Sequence, residues 1–233
     1  MQNSLRADAL RHIVYPGILF AAALLLLYAT NADLLLADAI YALGDMRWEY
    51  RDAWLTNTLI HDGGRTLVGV IAVALLGALL LSSIYRPLAP WHSSFLYLFC
   101  SAFLGAMLVN VLKEVTQVDC PWDLARYGGT NIHVPLFGER IAKQEPGRCF
   151  PAGHASAGYC WLGLFFVARR MAPRWQLPAL LAPLTLGLVF GVAQQWRGAH
   201  FLSHDLWSLY VCWMAAVLLH LLFVHRHWHD GRA

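Results

Sequence analysis

The chain has 233 residues, of which 58% are hydrophobic and only 13% charged, with ten tryptophans and a net charge of +3. Ordinary soluble domains are about one-quarter charged, so this composition excludes a soluble globular protein and describes a membrane protein. A charge this small gives no footprint for nucleic acid, and no nucleic-acid partner is expected.

A spanning helix needs about 20 predominantly apolar residues. Six uncharged stretches meet that need, at 13–30, 66–85, 87–112, 150–168, 175–196 and 206–224. The expected fold is therefore all-α, an integral membrane bundle of six transmembrane helices with a short interfacial helix, forming one domain over residues 1–233 with both ends on the same side. The first stretch has more apolar residues than a signal-peptide core and no convincing small-residue cleavage site, so it is expected to stay as a helix. After it, "NADLLLADAIYALG" predicts a short helix that Asp33 caps and Gly44 ends. Its apolar spacing suits a helix lying at the interface, and equally an ordinary packed connector. In "RWEYRDAW", Trp48, Tyr50 and Trp54 suit a position among headgroups. Arginines set the orientation: Arg169, Arg170 and Arg174 between the fourth and fifth spans, Arg6 and Arg11 before the first, and Arg226 and Arg232 after the last mark the cytoplasmic side. The loops after the first and third spans then face outward.

Polar chemistry gathers in the second outer loop, 113–148, and around it. Lys113 ends the third span, where its stem can pack on apolar neighbours while the ammonium reaches the surface. Cys100, Cys160 and Cys212 fall inside apolar stretches and read as small buried hydrophobes. Cys120 and Cys149 bracket the loop and are expected to close it as a disulfide in an oxidising compartment. The fourth span opens with "CFPAGHAS", where Pro151 favours a first helical turn and Ala152, Gly153 and Ala155 keep its start free of bulk. Unpaired N–H groups at a helix start attract anions, and His154 stands inside this one. "QQWRGAHFLSHDLWS" then packs Arg197, His200, His204 and Asp205 into nine residues on the same outer side. Cations, a helix start, histidines and a carboxylate suit phosphoryl transfer, in which positive groups neutralise phosphate oxygens, one histidine attacks and another protonates the leaving oxygen.

Two other readings compete. His200 and His204, four apart, have a spacing that suits zinc, with Asp205 or His133 completing a site. A non-enzymatic transporter or structural partner would favour ionisable groups near the midplane, whereas the polar groups here cluster at the outer boundary.

The three clusters resemble the phosphatidic acid phosphatase type 2 superfamily. Its signature is a lysine, six residues and Arg-Pro; then Pro-Ser-Gly-His; then Ser-Arg, five residues, His, three residues and Asp. "KEVTQVDCP" matches with Lys113 and Pro121 but places Cys120 at the arginine, "PAGH" has Ala152 for the serine, and "GAHFLSHD" places His200 as the histidine. Gln194 then stands at the arginine and His204 at the aspartate, with Asp205 one further on. In a second register His204 is the key histidine, Arg197 its arginine with one residue too many between them, and Ser208 the aspartate; "GAHF" favours the first. The motif-bearing core runs over 113–208. The resemblance implies a phosphatase without metal or cofactor. His200 would form a phosphohistidine, His204 or Asp205 would orient it, and His154 would protonate the leaving alkoxide. Lys113, the backbone at Gly153, and Arg197 would bind phosphate, with Arg148 and Arg126 in reserve. Family members act on phosphatidic acid, phosphatidylglycerol phosphate, undecaprenyl pyrophosphate or lipid A, and some transfer phosphate between lipids. The expected partners are the lipid substrate and surrounding membrane lipids. Arginine-rich, lysine-poor usage points to a bacterial inner membrane with the site facing the periplasm.

Overall fold

The computed structural model describes residues 7–8, 10–136, 138 and 146–226. Arg6, Arg232 and the histidines at 227 and 229 lie outside that set. Among the described residues the protein is helical, and strand-like pairing is limited to one isolated bridge between Leu124 and Asn131. Helices α1 (Tyr15–Thr30), α2 (Ala32–Leu43), α3 (Gly64–Ser82), α4 (His92–Thr116), α5 (Gly153–Tyr159), α6 (Leu164–Met171), α7 (Gln176–Trp196) and α8 (Leu202–Arg226) follow in order. A π-helical turn, Leu10–Val14, leads into α1, and a longer π-helical segment, Trp54–Gly63, leads into α3.

Among the described residues, five helical segments are long and apolar enough to cross a membrane: Leu10–Thr30, Trp54–Ser82, Arg86–Asp123, Pro173–Trp196 and Leu202–Phe223. That suits an integral membrane protein. The expected fourth span is not among the five. Between Gly153 and Met171 the chain stays helical but tightens to a 3-10 turn at Cys160–Gly163, with a polar start and Arg169 and Arg170 at its end. This segment needs no lipid-facing apolar surface, because protein surrounds it: Ala155, Tyr159, Cys160, Trp161, Leu162 and Phe166 are all buried.

Small residues let the neighbouring helices approach. In lipid, helices gain little from hiding apolar surface from water, and close backbone contact takes over that role. Gly158 of α5 abuts Gly187 of α7, and Gly187 in turn lies under the Tyr159 ring, so neither position has room for a side chain. The core continues through Leu98 and Val109 of α4 and Cys212 of α8.

The connecting helix α2 packs inward through Ala37 onto Leu124, Tyr127 and Phe201, while Leu35 and Leu43 stay exposed. Gly44 ends it as the sequence predicts. Asp33, however, does not cap its own helix. Its carboxylate accepts the Ser203 N–H at 2.8 Å, at the first turn of α8, where an anion meets the unpaired donors and partial positive charge of a helix start. The neighbouring Asn31, at φ 52°, bends the chain between α1 and α2 and leaves Asp33 free to do so. Trp48 lies against Gly198 rather than among headgroups, and Tyr50 packs edge-on to Trp196 at 5.1 Å.

Candidate active site

At the end of the bundle opposite Arg169, the helix boundaries converge. α4 delivers Lys113, the start of α5 delivers Gly153 and His154, and the turn between α7 and α8 delivers His200. Gly198, at φ 73°, makes that turn, a conformation that costs glycine nothing and other residues appreciably.

Gly153 is where lysine and helix meet. A Cβ built there would lie 2.9 Å from Lys113 Nζ and 3.2 Å from its Cε, so only glycine leaves the ammonium its place beside the main chain. His154 follows at once. Its Nε2 is 3.4 Å from the Ile60 carbonyl, and its ring stacks on His61 with centroids 4.4 Å apart and planes within 16°. Phe190 tilts against the same ring at 5.0 Å.

His200 is buried, and its Nδ1 lies 2.7 Å from the Cys149 carbonyl. A carbonyl can only accept, so Nδ1 carries the proton and Nε2 of the neutral ring keeps its lone pair. Burial pushes the His200 imidazole well below its ordinary value, and His204 and Lys113 push the same way. His200 is therefore held neutral, with a defined tautomer and a free nitrogen.

Cys149 and Cys120 are joined by a disulfide that closes the loop between α4 and α5. The return strand is fixed a second time where Cys149 N–H donates to the Val118 carbonyl at 3.0 Å. The bridge thus anchors the carbonyl that orients His200. Denatured, unreduced protein should show three free thiols, Cys100, Cys160 and Cys212. Replacing both bridge cysteines with serine should lower stability by about 3 kcal/mol and slow any reaction that depends on His200, measured by thermal unfolding in detergent beside turnover.

The other expected groups sit less simply. His204 lies 5.8 Å from His200, ring to ring, wedged edge-on between Phe150 and Phe201, and its Nδ1 has no hydrogen-bond partner among the described residues. Asp205 accepts a hydrogen bond from Gln195 Nε2 and makes no bond to His200. The orienting contact expected from His204 or Asp205 is made instead by the main chain at Cys149. Ser208 donates to the Ala152 carbonyl at 2.8 Å, tying α8 to the start of α5.

Arg197 is committed to protein. It donates through Nε to the Arg51 carbonyl at 2.8 Å, through Nη2 to Asn57 Oδ1 at 2.8 Å and through Nη1 to Gln194 Oε1 at 3.3 Å. It therefore clamps the π-helical segment over the site, and Gln194, at the family's arginine position, is part of that clamp. Arg148 pairs with Glu114 at the surface, and 69% of its side chain is exposed. Arg126 forms a two-pronged pair with Asp38, at 2.7 and 2.6 Å, and holds that carboxyl below its usual range; it braces α2 and does not reach the site.

The potential zinc ligands do not converge. Among the described residues, the group of three or more possible ligand atoms that meet is Cys120, Asp123 and Cys149, and its two sulfurs are bonded to each other. His133 sits 5.9 Å from the Phe201 ring and lines, with Asp33 and Asp119, a cavity of about 160 Å³ beside His204.

Sequence reasoning missed the stretch Ile60-His61-Asp62. Its signal was present as two ionisable residues in "IHDGG", placed just before an apolar span. No curated protein and no solved structure matches the chain at a significant level. The family model described as the PAP2 superfamily matches residues 94–228, which contain Lys113, His154 and His200 and make up more than half of the chain; the protein belongs to that superfamily.

Proposed function

We propose that this protein is a membrane-embedded phosphatase that removes phosphate from a lipid phosphate or pyrophosphate without a metal ion, through a phosphohistidine on His200. Members of the superfamily are phosphatases and phosphotransferases acting on phosphorylated substrates. The observation that carries the reading is the 2.7 Å bond from His200 Nδ1 to the Cys149 carbonyl, which leaves Nε2 as a nucleophile needing no base. His200 attacks phosphorus and the bond to the leaving oxygen breaks, while His154 gives that oxygen its proton. A water, deprotonated by His154, then takes the phosphoryl group and restores both histidines. Lys113 and the N–H groups at the start of α5 neutralise the phosphate oxygens. Arg197 contributes by holding the segment that covers the site, and Arg148 is the cation best placed for a second phosphate.

A lipid substrate follows from location, since the reactive groups sit where apolar helices end and a headgroup would lie. We place that end on the periplasmic face of a bacterial inner membrane, and read Gly153–Met171 as a sixth crossing sheltered by its neighbours.

Purified protein with chelator present should release phosphate from phosphatidic acid, phosphatidylglycerol phosphate, undecaprenyl pyrophosphate or lipid A. Release that stops on chelation would favour metal-dependent hydrolysis. No release from any of them, with phosphate appearing on an added acceptor lipid, would favour a phosphotransferase.

A further inference from the structure

Two contacts of the proposed general acid come from residues outside the matched region 94–228. His154 touches three consecutive residues of the π-helical segment Trp54–Gly63, directly or through one another. The Ile60 carbonyl lies 3.4 Å from its Nε2, His61 stacks on its face at 4.4 Å, and Asp62 Oδ1 lies 2.9 Å from His61 Nδ1. A run of π-helix is rare and concentrates at functional sites. Here it is locked in place, with Asn57 accepting from Arg197, Asn57 N–H donating to the Ala53 carbonyl at 2.9 Å and Thr56 donating to the Tyr50 carbonyl. The His61 side chain is one-third exposed and that of Asp62 nearly two-thirds, so the pair reaches inward from the outer rim.

We propose that His61, tethered by Asp62, is a positioning residue for His154: with Nε2–H held toward the Ile60 carbonyl, the stacked ring fixes the plane of the imidazole so that its Nδ1 proton points at the leaving oxygen. The inference rests on the reading of His154 as the acid. An acid bound only along one edge can swing about that bond, and a parallel ring 4.4 Å away removes the freedom. Misplacing a catalytic group by about 1 Å can cost about 100-fold, so a tether of this kind has a large lever. The carboxylate serves the same end, because it accepts from Nδ1–H and fixes the rotation of His61.

The test compares an alkyl lipid phosphate with an activated aryl phosphate in wild-type protein and in His154→Ala, His61→Ala, His61→Phe and Asp62→Ala. Wild-type inactivity, or equal losses on both substrates in His154→Ala, would overturn the acid reading and the positioning role with it. With that reading standing, His61→Ala should lose about 30-fold on the alkyl substrate and only a few-fold on the aryl one. His61→Phe keeps a flat ring and should recover most of the loss, and Asp62→Ala should fall between. Equal losses on both substrates in His61→Ala, or none, would sink the proposal. A readout independent of turnover settles the contact: in histidine-labelled protein, the His154 ring resonance, assigned by its disappearance in His154→Ala, should shift in His61→Ala as the stacked ring's field is lost. An unmoved resonance overturns the proposal. Should His61→Ala fail to fold, His61→Phe and Asp62→Ala carry the same comparison.

Discussion

Replacing His200 with alanine should reduce phosphate release by at least about four orders of magnitude, the loss seen when a covalent nucleophile is removed and only binding and electrostatics remain. The protein should stay folded in detergent, because among the described residues the imidazole's hydrogen bond to protein is a single one to the Cys149 carbonyl. His204→Ala should lose far less, about tenfold, since that ring packs between two phenylalanines. A dead His204→Ala beside an active His200→Ala would move the nucleophile to His204. The pH profile offers a second check. Attack needs the neutral ring, and burial pushes the His200 imidazole well below its ordinary value. A lowered value means protonation only at lower pH, so on an activated aryl phosphate, which needs no acid, kcat/KM should hold through the usual imidazole range and fall only below it.

Replacing His154 with alanine should slow release from an alkyl lipid phosphate by about 1,000-fold, within the range that general acids supply. An activated aryl phosphate should lose about tenfold or less, because its leaving oxygen is stable without a proton. Steady-state rates on the two substrates decide the matter: equal losses would remove His154 as the acid and leave it a packing residue between His61 and Phe190.

Glycine at 153 shows how much chemistry a short motif can carry. In "PAGH" the glycine is legible as a helix start, and the structure adds that a Cβ there would crowd the lysine ammonium forty residues earlier in the chain. Cys120 was legible in the same way, as a departure from the family arginine and as one of two cysteines bracketing a loop. What the sequence leaves open is where the positive charge of those arginines goes. Arg197 looks like their replacement by proximity in the chain, yet its donors meet Arg51, Asn57 and Gln194.

The sequence by itself determined the helical class, the apolar lengths that suit a membrane, and the motif positions of Lys113, His154 and His200, because apolar length and motif spacing are local properties that the chain writes in order. Six apolar stretches are legible in the sequence, whereas five helical segments among the described residues are long and apolar enough to cross a membrane, and the segment after Gly153 is sheltered by neighbours that no window along the sequence can see. Only the tertiary structure decided that a main-chain carbonyl orients His200, that Asp33 caps α8 instead of α2, and that His61 lies on His154. Each of these contacts joins residues 51 to 170 positions apart, set by how helices approach through small residues such as Gly158 and Gly187, and packing of that kind leaves no periodic trace in the sequence.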